Sequence, residues 1–216
     1  MKNVNGLWIP NDEHYLTRWL EEVPTYADDY DEYLFRFVRD LPMRRTAVDV
    51  GANVGLWTRK LARLFDYVHA FEPVREVFAC LDRNVLDAAG NVTIHPIAVG
   101  AAPGHVALRR TSGDTTFKTH IEGAGITSLE PLDAFRFKDV DLIKIDTEGY
   151  DSFVLRGAAA TIRAWQPLFV FESKPGVSVK RYGVSEATHF ALLDEFGYEV
   201  IHSERGNYVA RAKEKA

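Results

Sequence analysis

What most constrains this 216-residue chain is a change of rhythm at residue 46, after which strand-length apolar runs alternate with segments of helical spacing. TAVDV (46–50) reads as a buried strand, and the segment after it places Trp57, Leu61, Leu64 and Phe65 on one helix face. YVHAFE (67–72) is the next strand, followed by Val74, Val77, Phe78, Leu81 and Val85 at helical spacing. NVTIHPIAV (91–99) is a third, and Pro96 inside it marks an edge or a strand end. VDLIKID (140–146) and PLFVFE (167–172) flank a helical segment that Gly157 can break, and EATHFALLDEF (186–196) is again helical. GYEVIHS and GNYVARAK, with SERGN between them, predict an antiparallel C-terminal hairpin. The alternation predicts an α/β, doubly wound and mostly parallel sheet with helices on both faces.

The remaining segments are placed around that core. Residues 1–45 carry two amphipathic helical patterns, Leu16 to Val23 and Tyr30 to Leu41, and are expected to form a helical flank or lid. Residues 46–211 form the main domain and 212–216 a polar tail. GHVALRR (104–110) reads as a short extra strand, and residues 111–128 as an irregular polar loop. The aromatic side chains Trp8, Tyr15 and Trp19 suit either a substrate wall or plain packing, with packing the expectation.

Composition removes several classes of function. Net charge is −5, from 31 acidic and 26 basic residues, so no general nucleic-acid binding is expected; a local basic patch around Arg109, Arg110 and Lys118 stays open. The one cysteine, Cys80, excludes a disulfide framework and sits in a helical pattern as a structural thiol. The N-terminus lacks the apolar core of a signal peptide, and no run approaches a membrane span, so a cytoplasmic protein is expected.

VDVGANVG (48–55) places a glycine-rich turn where the first strand meets the first helix, the ligand position of a doubly wound sheet. The dinucleotide pattern GxGxxG is missing its second glycine, which disfavours a dehydrogenase. Asp49 ahead of the glycines is poorly placed for a pyrophosphate and suits a ligand bearing an amino group or a sulfonium. Glu72, at the end of the second strand, can accept hydrogen bonds from both hydroxyls of a ribose.

VDVGANVG with FEP at 71–73 resembles the first two motifs of Rossmann-like S-adenosylmethionine-dependent methyltransferases. DLIKIDTEGYDSFVLRGA (141–158) followed by QPLFVFE resembles the K-x-D-x-E-G-x-[DE]-x-x-V-L-x-G-A signature of the FkbM family, and TSLEPLDAF (127–135) is similar to the segment preceding it. The resemblance implies a seven-stranded sheet ending in the antiparallel hairpin, and methyl transfer to a hydroxyl of a glycan or small metabolite. It also implies that Asp49, Gly51, Asn53 and Gly55 cradle the amino-acid part of the donor, with Glu72 on the ribose and Ala98 by the adenine.

Lys144 and Asp146 alternate on one side of the fourth strand, with Ile143 and Ile145 on the other. Asp146 is the candidate for orienting or deprotonating the acceptor, Glu148 for assisting it, and Lys144 for neutralising it. Glu172 is a third acid at a neighbouring strand end. Three such acids are of the type that binds Mg²⁺, but their spacing lacks a diagnostic ligand pattern and a required metal is not favoured. A second reading, from the N-terminal helices and the aromatic-rich flank, is a non-catalytic Rossmann-like module for a nucleoside or a protein partner.

Overall fold

The computed structural model describes residues 1–23, 25–86, 90–110 and 119–214. The chain opens with a hairpin of β1 (Lys2–Val4) and β2 (Leu7–Ile9), then α1 (Tyr15–Glu22), α2 (Tyr26–Asp29) and α3 (Glu32–Arg39). The core follows as β3 (Thr46–Val50), α4 (Leu56–Ala62), β4 (Tyr67–Phe71), α5 (Arg75–Val85) and β5 (Val92–His95). An insertion of short strands comes next: β6 (Ala98–Val99), β7 (Gly104–Arg110), β8 (Thr119–Ala124) and β9 (Thr127–Glu130). The chain closes with β10 (Val140–Ile145), α6 (Asp151–Gly157), α7 (Ala159–Trp165), β11 (Leu168–Glu172), α8 (Val177–Tyr182), α9 (Ala187–Glu195), β12 (Tyr198–Glu204) and β13 (Asn207–Ala212).

Seven strands form the main sheet in the order β12-β13-β11-β10-β3-β4-β5. The four pairings from β11 through β5 are parallel, and β13 runs antiparallel to both β11 and β12. A parallel sheet must be covered on both faces, and side-chain alternation divides each strand between two cores. Val48, Val50, Ile143, Ile145, Phe169 and Phe171 face α6, α7 and α9 through Val154, Leu155, Ile162 and Leu192. On the other face, Ala47, Val68, Leu142, Val170 and Val209 pack against Trp57 and Leu61 of α4 and Leu34, Phe35 and Val38 of α3.

The N-terminal flank therefore supplies a helix layer of the main core, and it is not helical throughout. Its first nine residues contain the β1–β2 hairpin, tied down by Asn84 of α5. The Asn84 amide oxygen accepts from the Trp8 backbone N–H at 2.7 Å, and its amide nitrogen donates to Trp8 O at 2.8 Å and Val54 O at 2.7 Å. The expected helix from Tyr30 starts only at Glu32, because Asp31 has φ 53° and turns the chain between α2 and α3.

Pro96 splits the expected third strand in two. β5 stays at the edge of the main sheet, whereas β6 crosses into a second sheet of order β6-β9-β7-β8. The stretch expected as an irregular loop thus contains β8 and the start of β9, both paired to β7 in antiparallel register. Residues 111–118 of that stretch, including Lys118 of the suggested basic patch, lie outside the described residues. Among the described residues no helix is long and apolar enough to cross a membrane.

Candidate active site

A cavity of about 470 Å³ opens at the carboxyl ends of β3, β4, β10 and β11, with the small sheet as its far wall. Gly51, Asn53 and Glu72 line one side of it, Asp146, Glu148 and Glu172 the other, and Ala98 the floor near β6. Leu108, His120 and Ile121 reach in from the small sheet, and Tyr15 and Tyr30 from the N-terminal flank. Tyr15 is the one of the three flagged flank aromatics on the cavity wall. Trp19 stacks on Tyr26 at 5.6 Å, and Trp8 lies under Arg83 at 5.4 Å.

The glycine turn owes its shape to chain crossing. A Cβ on Gly51, whose φ is 78°, would stand 1.9 Å from the backbone oxygen of Asp146. Only glycine lets the ends of β3 and β10 approach that closely while adopting a left-handed conformation. Gly55, with φ 95°, does not face the cavity: a Cβ there would meet Leu81 of α5 at 2.8 Å, so it serves helix packing. Asn53, at φ 52°, lines the cavity and donates its backbone N–H to Glu72 Oε2 at 3.0 Å.

Glu72 is set as a hydrogen-bond acceptor. Its Oε1 takes the Val74 backbone N–H at 2.8 Å, so each oxygen has one backbone donor and a lone pair left for a ligand. Burial pushes its pKa up to about 7, against the lowering effect of those two backbone bonds.

Asp49 departs from the expected role. It is 0% exposed and absent from the cavity wall, because its strand position points under the turn into the α3/α4 face. Its Oδ2 accepts from Thr58 Oγ1 at 2.7 Å, and its Oδ1 lies 3.1 Å from Lys144 Nζ. Asp49 and Lys144 are register partners on β3 and β10, so the pair is built by the sheet itself. Lys144 also donates to Gly51 O at 2.9 Å and stands 3.9 Å from Asp146 Oδ2. Although burial opposes its charge, the Asp49 and Asp146 carboxylates hold its pKa above the usual lysine value. Lys144 is thus a buried ammonium tying the glycine turn to the Asp146 strand end, not a group on the main cavity wall.

The three acids come together. Among the described residues, carboxylate oxygens of Asp146, Glu148 and Glu172 lie within 4.8 Å of one another. Two cations already answer them. Arg181 of α8 donates to Glu148 Oε2 at 2.9 Å and to its backbone O at 2.6 Å. Lys174 lies 2.8 Å from Glu172 and 3.4 Å from Glu148. A dication would have to displace these contacts, so the residues present do not amount to a built metal site. Glu148 is the more fully engaged acid; among the described residues the one ion pair of the Asp146 carboxylate, a third exposed at 34%, is with Lys144 at 3.9 Å. Burial, then the Asp146 charge, raises the pKa of Glu172 to about 7. Sequence reasoning missed Lys174, Arg181 and Tyr30. The first two follow β11 in a stretch whose helix α8 is too short to show periodicity, and Tyr30 looked like one more apolar-face residue.

Among the solved structures that the chain resembles are several methyltransferases. One described as methyltransferase FkbM from Methylobacillus flagellatus KT aligns with TM-score 0.56 at 17% identity, over 96% of this chain and 56% of that one. This chain thus spans little more than half the length of that protein. A SAM-dependent methyltransferase from Aquifex aeolicus aligns with TM-score 0.51 at 15% identity, over 91% of this chain and 98% of its own. One from Leishmania major gives 0.52 at 16%, over 91% and 76%. At such identities the likeness is one of fold. No curated protein matches the sequence. The family model of the methyltransferase FkbM domain matches residues 49–200, a span that takes in the glycine turn, Glu72 and all three acids, and the chain belongs to the FkbM methyltransferase family.

Proposed function

We propose that the protein is an S-adenosylmethionine-dependent O-methyltransferase acting on a hydroxyl of a small metabolite or glycan. The observation that carries this reading is one cavity with a fixed acceptor carboxylate, Glu72, at one end and a strand-end acid, Asp146, at the other. Glu72 suits the ribose hydroxyls, Ala98 the adenine edge, and Gly51 and Asn53 the methionine part. Bound there, the donor supplies an electrophilic sulfonium methyl, transferred in line while its sulfur keeps the bonding electron pair.

What remains for the protein is to place the acceptor oxygen and remove its proton. Asp146, with Lys144 3.9 Å behind it, accepts a hydrogen bond from the acceptor hydroxyl and orients it. Glu172, with its pKa near neutrality, takes the proton as the oxygen–methyl bond forms. Glu148, gripped by Arg181 and Lys174, shapes the rim. Oxygen as the methylated atom is supported by this acidic surround. Incubation with methyl-labelled S-adenosylmethionine and an array of hydroxylated acceptors, read by mass spectrometry, tests the reading. Label should appear as an ether on an acceptor hydroxyl; donor binding with label on no acceptor would favour the non-catalytic module instead.

A further inference from the structure

Two side chambers adjoin the main cavity, and Tyr30 and Asp146 border all three spaces. One chamber lies beneath the glycine turn between Gly51, Asn53, Leu56 and Lys144; the other holds Asp31, Trp57 and Asn207. Tyr30 thus stands where the methionine end of a donor would lie, opposite the Glu72 end. It comes from the N-terminal flank, before the family domain at residues 49–200.

Its corner is pinned twice to α4, the helix that the glycine turn starts. Lys60 Nζ donates to the Tyr30 backbone oxygen at 2.7 Å, and Trp57 Nε1 donates to Asp31 Oδ2 at 2.8 Å. Asp31 holds the left-handed conformation that reverses the chain there, at φ 53°. Among the described residues nothing is hydrogen-bonded to the Tyr30 hydroxyl, whose ring is half-buried against both neighbouring cores. Burial and the charges of Asp31 and Asp146 hold its pKa well above the usual phenol value, so it keeps its proton.

The charges around that space are unequal in kind. Asp31 and Asp146 border that space; Asp31 is taken by Trp57, and the Lys144 ammonium by Asp49 and Gly51 O. An aminocarboxylate placed there finds the Asp146 carboxylate for its ammonium and the Tyr30 hydroxyl as a neutral donor for its carboxylate. We propose that Tyr30 is a donor-binding residue whose hydroxyl bonds the carboxylate of S-adenosylmethionine, and that Asp31 is the positioning residue that holds it there through Trp57. The inference rests on the reading that the cavity takes this donor.

The test compares two ligands on the full chain by titration calorimetry: S-adenosylhomocysteine, and 5′-methylthioadenosine, which lacks the aminocarboxylate. Tyr30→Phe removes the hydroxyl alone and should weaken S-adenosylhomocysteine about tenfold, the loss of one hydrogen bond to a charged group. Its affinity for 5′-methylthioadenosine should stay within about twofold of wild type on the same argument. Asp31→Gly keeps the left-handed turn but frees Trp57, and should lower the ratio of the two affinities in the same direction. Equal losses for both ligands, or none in Tyr30→Phe, would overturn the proposal while leaving the methyltransferase reading intact. Wild-type protein that binds neither ligand would sink that reading and this inference together.

Discussion

Lys144 and Asp49 show how a site residue can matter without lining the main cavity. The pair sits in the sheet at 8% and 0% side-chain exposure, and removing one partner leaves a buried charge uncompensated. Lys144→Met should therefore cost about 3–5 kcal/mol, lowering the melting temperature on the order of 10 °C in calorimetry. A variant that melts like wild type would mean that the ammonium is not needed to balance Asp49. Glu172→Gln should leave donor affinity unchanged and lower kcat by about 10²–10⁴-fold. In the wild type, kcat should rise with pH through about 7 as Glu172 loses its proton, and the glutamine variant should lack that rise. The rise surviving in Glu172→Gln would assign the proton to another group. Motif spacing made the place of Gly51, Asn53, Glu72 and Asp146 on the cavity wall legible. It could not separate Asp49 and Gly55 from the wall, because a motif records which residues recur, not which way they point.

At the level of elements, strand–helix alternation was readable because the central parallel strands are buried on both faces and each helix on one. Short elements escaped for the same physical reason in reverse. The β1–β2 hairpin and β6 have three residues or fewer per strand, too few to display a period. Pro96 was legible as an interruption, but the transfer of β6 to another sheet depends on its distant partner β9. The role of α3 was equally hidden, since an amphipathic helix does not name the surface it covers. Phe35 is 1% exposed, with its ring 4.3 Å from Trp57 and Lys60 Nζ 4.7 Å from its centre. Phe35→Ala should cost about 3–5 kcal/mol in denaturant unfolding. A cost under about 1 kcal/mol, typical of a surface substitution, would make the flank an appendage and not a layer of the core.

Over the whole molecule, buried titratable groups set opposing responses to pH. Burial raises Glu72, Asp151 and Glu172 to about 7, so the stability that their protonated forms confer is present at low pH and lost as pH rises through 7. Burial lowers His95 and His189 to about 4, so their contribution is lost as pH falls below the unfolded value of 6.5. Between about pH 5 and 6.5 the two histidines offset two of the three acids, and above that the acids act until the pH has passed about 7. With three acids against two histidines, the melting temperature of the ligand-free protein should fall from about pH 5 through about 7 and level off toward about pH 8. Asp151→Asn should reduce that fall; an undiminished fall would take Asp151 out of the response. None of this was visible in the sequence, because burial of a carboxyl follows from the assembled fold. The central claim is that the cavity is a donor site anchored by Glu72, and titration calorimetry with S-adenosylhomocysteine tests it most directly. The account predicts saturable one-to-one binding that Glu72→Gln weakens about tenfold or more, for the loss of charged acceptors. Folded wild-type protein that gives no binding, or a Glu72→Gln variant that binds as wild type does, would contradict it.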